Sequence, residues 1–151
     1  MQRITPFLWF NTQAEEARDF YLSVFRNSRP GTTTRYGDAG PGPAGTVMAA
    51  SFELDGQEFV ALNGGPQFKF SPVISFVVNC DTQDEVDFYW ERLSAGGWLK
   101  DRFGVSWQVV PRSLTQMLAG SDARRVTRVM QAILRMKKID IAALELAWNT
   151  R

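Results

Sequence analysis

The sequence predicts an α+β fold in which two tandem βαβββ modules form a curved mixed sheet, followed by a helical C-terminal extension. Three observations carry this. Displaced by 68 positions, residues 8–21 (LWFNTQAEEARDFY) lie on residues 76–89 (FVVNCDTQDEVDFY) without a gap, with Asn11 on Asn79 and Asp19-Phe20-Tyr21 on Asp87-Phe88-Tyr89. Asp55-Gly56 separates two strand-forming runs as a tight hairpin does. Beyond Pro111 the apolar spacing becomes wholly helical.

Element by element, the apolar run 4–10 reads as a buried strand. Thr12 then stands where a helix cap belongs, ahead of Ala17, Phe20, Tyr21, Val24 and Phe25 at helical spacing. Residues 27–31 carry turn formers, the β-branched run 32–36 reads as a second strand, and GDAGPGPAG at 37–45 reads as a mobile loop. Runs 46–54 and 57–62 make the hairpin. The pattern restarts at Val73 with a strand, VISFVVN, and a helix over 82–93 that buries Val86, Tyr89, Trp90 and Leu93. Its last hairpin matches the first at an offset of 48, Gly56 on Gly104 and Phe59 on Trp107, so this module is about 20 residues shorter, and near Gly97-Trp98 either one strand is truncated in a degenerate half or residues are missing from the sequence. The tail predicts a short helix at 114–118, a longer one capped by Ser121 or Asp122, and a last one capped by Asp140 with Ile141, Leu144 and Trp148 inward. The expected organisation is one domain, 1–151, comprising modules 1–66 and 72–111 and the extension 112–151.

Composition narrows the function. The 17 Lys+Arg against 16 Asp+Glu leave a net charge of +1, which provides no field toward nucleic acid or anionic lipid. Arg124, Arg125, Arg128, Arg135, Lys137 and Lys138 alternate with apolar residues and read as a solvated helix face. Neither nucleic acid nor membrane is an expected partner. Cys80 is the single cysteine, which excludes an intrachain disulfide and fits a reducing location; it reads as a half-buried turn residue. The opening RITPFLWFN lacks the pattern of a targeting segment, and no apolar run reaches membrane-spanning length, so a soluble, cytoplasmic protein is expected.

The chain has no histidine, which excludes zinc and iron sites of the usual composition. A hard ion would have Glu53, Glu58 and Asp101 as strand-borne candidates, though each stands beside a turn or faces water. Glu15-Glu16 and Asp84-Glu85 occupy first helical turns, where negative charge suits the macrodipole. Neither the 37–45 loop nor NGGP at 63–66 leads a strand into a helix as a phosphate-binding turn does. What remains is an apolar cavity. Thr5, Phe7 and Trp9 alternate with Pro6, Leu8 and Phe10, and Ser75 is the polar position in the partner strand. Thr5, Phe7, Trp9, Asn63, Ser75, Trp107 and Gln108 are the expected lining of a pocket with few polar groups.

The segments FLWFNTQAEEARDFY, FVALNGGPQFKFSPVISFVVNCDTQDEVD, WLKDRFGVSWQVVP and MKKIDIAALELAW resemble the PhnB-like branch, labelled 3-demethylubiquinone-9 3-methyltransferase, of the vicinal oxygen chelate superfamily. That superfamily includes glyoxalase I, extradiol dioxygenases and bleomycin-resistance proteins, and the resemblance implies their tandem fold and a homodimer. It also implies metal positions at Thr5, Val73, Gln108 and either Val60 or Leu62, none of which is an imidazole or carboxylate. No Gly-rich turn for S-adenosylmethionine is present. The expected function is a metal-free, cofactor-free binding protein for a small hydrophobic or aromatic molecule. The alternative is an enzyme of the superfamily acting on a quinone-like or aromatic substrate through a carboxylate such as Glu53 or Asp101.

Overall fold

Alternation governs the first strand, β1 (Phe7–Phe10): Leu8 and Phe10 are buried while Phe7 stands 60% exposed. This computed structural model describes residues 2–94 and 99–151, and the chain divides into two compact units, one ending at Phe70 and the other beginning at Ser71.

In the first unit β1 is followed by α1 (Ala14–Val24), β2 (Ser28–Arg35), β3 (Val47–Leu54) and β4 (Gln57–Asn63). The sheet order is β1-β4-β3-β2, with β1 parallel to β4 and the other pairs antiparallel. This is the expected βαβββ module. Its hairpin turns at Asp55 (φ 49°) and Gly56 (φ 83°), two successive left-handed residues of the kind a two-residue primed turn requires. One face of the sheet receives α1: Ala17, Tyr21 and Val24 meet Phe52 and Phe59, whose rings stack at 5.4 Å on opposed positions of β3 and β4. Burial of Tyr21 and Phe52, each 1% exposed, contributes on the order of 2 kcal/mol per side chain.

Three details differ from expectation. α1 is not capped by Thr12; Gln13 precedes it without a side-chain bond, and Asn63, at the end of β4, accepts the Ala14 N–H instead. β2 starts at Ser28 because the edge of a sheet tolerates Pro30, whose missing N–H leaves no ladder gap. The register slips between Pro30 and Thr33, and Ser51 Oγ takes up the Thr32 N–H there at 2.7 Å. The 37–45 segment closes on Tyr36: Gly45 N donates to Tyr36 O, Tyr36 N to Thr46 O, and the buried Tyr36 hydroxyl to Asn63 O.

The second unit opens with β5 (Phe76–Cys80), α2 (Gln83–Leu93) and β6 (Trp107–Pro111), with β5 and β6 parallel. An isolated antiparallel bridge joins Lys100 to Ser106. Within the described residues this unit has a strand, a helix, a bridge and a strand; the truncation expected near Gly97-Trp98 lies outside the described residues. Thr82 caps α2 through the Glu85 N–H, while Glu85 returns a bond to Asp81 N. Val86 and Leu93 are buried, and Tyr89 and Trp90 half-buried. Cys80 ends a strand fully buried and is not a half-buried turn residue.

The extension folds as α3 (Arg112–Leu118), α4 (Ala123–Ile133) and α5 (Ile141–Asn149) around Leu114, Val129 and Leu144. Asp122 and Asp140 cap the latter two helices. Arg124, Arg125, Arg135, Lys137 and Lys138 are exposed, as a solvated helix face requires, and Arg128 is half-buried. Arg128 donates to the carbonyls of Ala147 and Trp148 at the end of α5, Arg125 lies over the Trp148 ring at 5.2 Å, and Lys138 pairs with Asp87 at 2.9 Å. Gln83 fastens the extension to α2, donating to Ile139 O and accepting from Ile141 N.

Candidate functional site

Each sheet has one face covered by its helix and one face open, and strand parity assigns every candidate residue to one of them. In the first unit β1 sets Phe7 opposite Val60 and Trp9 opposite Leu62, so these four share the face away from α1. Ala49 pairs with Leu62 and Ser51 with Val60, which extends that face across β3. Thr5 shares the parity of Phe7 and Trp9 and is half-buried. The open face is thus aromatic and aliphatic at the β1 side. Toward the hairpin it becomes acidic, where Glu53 opposes Glu58 and binds Arg29 at 3.0 Å.

Trp9 is fixed in place. Its indole Nε1 donates to Gly65 O at 2.9 Å, Phe68 meets it edge-on at 5.0 Å, and a Cβ on Gly64 would come within 2.4 Å of the ring. The segment after β4 therefore straps over β1, and only glycine fits at position 64. Phe7, by contrast, presents its ring to solvent.

Asn63 belongs to the opposite face. Phe59, Ala61 and Asn63 alternate on the helix side of β4, and the Asn63 amide is engaged at both ends, Oδ1 by Ala14 N at 2.8 Å and Nδ2 by Val47 O at 3.1 Å. It joins the N-terminus of α1 to β3 and is not set in the open face.

In the second unit Val77 pairs with Gln108, and Ser75 lies one pleat before Val77 on the same face. Gln108 Nε2 donates to Ser75 Oγ at 2.8 Å. Trp107, one residue from Gln108, points the other way: it is 4% exposed, packs on Phe76 at 5.5 Å, and donates its indole N–H to Asp101 Oδ2 at 2.9 Å. The structure thus brings Ser75 and Gln108 together and separates Trp107 from them. Strand parity, counted from Val109, was the signal that places Trp107 in the core.

Asp101 is 3% exposed, and its Oδ1 accepts the Phe103 and Val105 N–H groups. Three donors shape the turn before β6 around this carboxylate. That geometry is of a structural anchor, and the oxygens are directed at protein donors, not at an ion or substrate. Cys80 has its thiol pushed up to about 11 by burial, then by Glu85 and Asp81, which makes it a poor nucleophile.

The residues at the metal positions that the resemblance implies do not suit a divalent cation. Thr5, Val60, Leu62 and Val73 offer at most one neutral oxygen, and the Gln108 amide turns an N–H toward Ser75. Among the described residues no group of three or more His, Cys, Asp or Glu side chains stands close enough to hold a metal ion. An S-adenosylmethionine site does not fit either, since the leading amide of α1 is occupied by Asn63 and β1 lies in a mixed sheet.

The 3-demethylubiquinone-9 3-methyltransferase family matches residues 2–110. A Bacillus cereus PhnB protein, described as a 3-demethylubiquinone-9 3-methyltransferase, is 38% identical over 73% of this chain and 99% of its own, with a TM-score of 0.65. A Pseudomonas aeruginosa protein is 23% identical over 74% of this chain and 98% of its own, with a TM-score of 0.59. A domain from Frankia described as glyoxylase/bleomycin resistance protein/dioxygenase is 13% identical over 74% of this chain and 92% of its own, with a TM-score of 0.49. No curated protein matches the chain. The chain belongs to the 3-demethylubiquinone-9 3-methyltransferase family. The match ends at residue 110, so α3, α4 and α5 lie beyond it. Among the described residues no helix is long and apolar enough to cross a membrane.

Proposed function

We propose that this protein binds a small hydrophobic or aromatic molecule without the aid of a metal ion, using the open sheet faces. The observation that carries the reading is the Phe7 ring, 60% exposed on a strand face it shares with Trp9, Val60 and Leu62. Large apolar side chains standing free on a sheet face mark a surface that something else covers. The metal positions filled by Thr5, Val60 or Leu62, Val73 and Gln108 support the metal-free part. A homodimer belongs to the reading, supported by further exposed apolar residues such as Ile4, 84%, and Val73, 89%.

Saturation-transfer NMR with tetralin, an aromatic hydrocarbon lacking any metal ligand, tests it. The native chain takes up tetralin, and Phe7→Ala weakens uptake at least tenfold while leaving the fold intact, since Phe7 is mostly outside the core. Equal uptake by both proteins, or none by either, refutes the reading. Trp9→Ala is the weaker test because the indole also holds the 64–70 strap.

A further inference from the structure

The net charge of +1 hides two stripes of opposite sign in the second unit. Residues 71–111 carry three Lys and Arg against six Asp and Glu, whereas residues 112–151 carry eight against three. On α2, Asp87 and Glu91 follow Asp84 at i+3 and i+7, so the three share one side of the helix. Past the end of α4, Met136 and Ile139 pack into the core of the extension, while Arg135, Lys137 and Lys138 stay exposed. The two stripes meet at one ion pair, Lys138 Nζ to Asp87 Oδ1 at 2.9 Å. On either side of Asp87, the exposed Asp84 and Glu91 have no Lys or Arg beside them among the described residues, and the exposed Arg135 and Lys137 have no carboxylate.

An apolar ridge runs up to the basic stripe. Met130 and Leu134, one helical turn apart, are 42% and 78% exposed, and Leu134 directly precedes Arg135. Exposed apolar side chains bordered by charge mark a surface that a partner covers. The charge pattern decides which partner. Nucleic acid or an anionic lipid surface would be drawn to Arg135 and Lys137 but repelled by Asp84 and Glu91 beside them, and a uniformly cationic partner meets the reverse difficulty. The fitting surface carries an acidic and a basic stripe side by side in the opposite order. A second copy of this chain, turned by a two-fold axis, presents that arrangement. Each stripe then meets its opposite twice, because such an interface uses the same patch on both copies.

We propose that the second unit pairs with the same unit of a second copy through this face, Arg135 and Lys137 of each copy lying against Asp84 and Glu91 of the other, with Met130 and Leu134 buried between them. This deepens the homodimer part of the reading above and rests on it. Burial of the ridge supplies the affinity, while the exposed charges fix orientation and choice of partner.

Two charge-reversed chains test the face by sedimentation velocity at about 100 µM, where an association of micromolar strength is close to complete. One carries Asp84→Lys and Glu91→Lys, the other Arg135→Glu and Lys137→Glu. All four side chains are exposed, and far-ultraviolet circular dichroism verifies that each chain folds. The native chain sediments as a dimer, each reversed chain alone as a monomer, and an equimolar mixture of the two as a dimer, since like stripes repel in each alone and opposite stripes attract in the mixture. Leu134→Asp in the native background weakens the dimer about tenfold or more. If the native chain is a dimer but either reversed chain dimerises as tightly, the mixture stays monomeric, or Leu134→Asp leaves the dimer at full strength, this face is wrong although the homodimer survives. A monomeric native chain overturns both.

Discussion

Asn63 accepts the Ala14 N–H at 2.8 Å across 49 residues of sequence, so a residue at the end of β4 caps the helix that follows β1. Its other end donates to Val47 O, and its backbone carbonyl accepts the Tyr36 hydroxyl. Three segments meet at one side chain and its own peptide group. Asn63→Leu leaves the helix amide and the Val47 carbonyl without partners and costs about 2 to 4 kcal/mol. Asn63→Asp keeps the acceptor and costs about half as much. Urea unfolding at neutral pH measures both, and a loss under about 0.5 kcal/mol for Asn63→Leu contradicts the capping role.

Asp101 and Trp107 hold the turn before β6 in the same manner. Trp107→Phe removes the indole donor from a nearly buried carboxylate oxygen and trims the packing on Phe76, so a destabilisation of about 2 to 3 kcal/mol is expected. Asp101→Asn keeps the size but turns an N–H toward donors, and is expected to cost as much. Equal stability of wild type and Asp101→Asn by thermal denaturation rules out the anchor role.

Cys80 has a thiol pushed up to about 11 by burial, with Glu85 and Asp81 adding to the rise and Arg112 opposing it. Its folded value lies above its unfolded one. The stability it confers is therefore complete below the ordinary thiol range and is lost as pH climbs from about 9 toward 11. At about pH 8, iodoacetamide labels the native chain at least tenfold more slowly than the unfolded chain. Equal rates contradict the burial argument.

Asp87 lies below its usual carboxylate range because Gln83 and Lys138 donate to it. A depressed folded value gives a contribution that is present above the unfolded value and fades as pH falls through the folded one. Since Gln83 also grips Ile139 and Ile141, acidification loosens the extension before the rest of the unit. Hydrogen exchange of α5 amides at falling pH detects this, and Asp87→Asn removes the pH dependence. An unchanged acid profile in that variant contradicts the linkage.

The internal repeat made most of the fold legible. The displaced match between 8–21 and 76–89 located β1, α1, β5 and α2, and Asp55-Gly56 located the hairpin. Alternation correctly set Phe7 and Trp9 on the open face, because β1 is short and its parity is unbroken. The same count from Phe59 or Val109 puts Asn63 and Trp107 on the helix side. Their chemistry suggested a pocket, while their parity placed them in the interior. Asn63 as a cap for α1 and Ser51 as the repair of the β2 bulge were not legible, since both depend on strands brought together by the fold. Trp9 was legible as a face residue, but its strap was not: the bond to Gly65 and the fit over Gly64 exist only once the chain turns back after β4.

Metal content and chelation decide whether the open sheet face takes up its ligand without a cation. The purified chain is measured by inductively coupled plasma mass spectrometry, and tetralin is titrated into it before and after treatment with a chelator. Metal-free binding requires far less than one divalent ion per chain and an affinity unchanged by chelation. A stoichiometric ion whose removal abolishes binding, and whose return restores it, would contradict it.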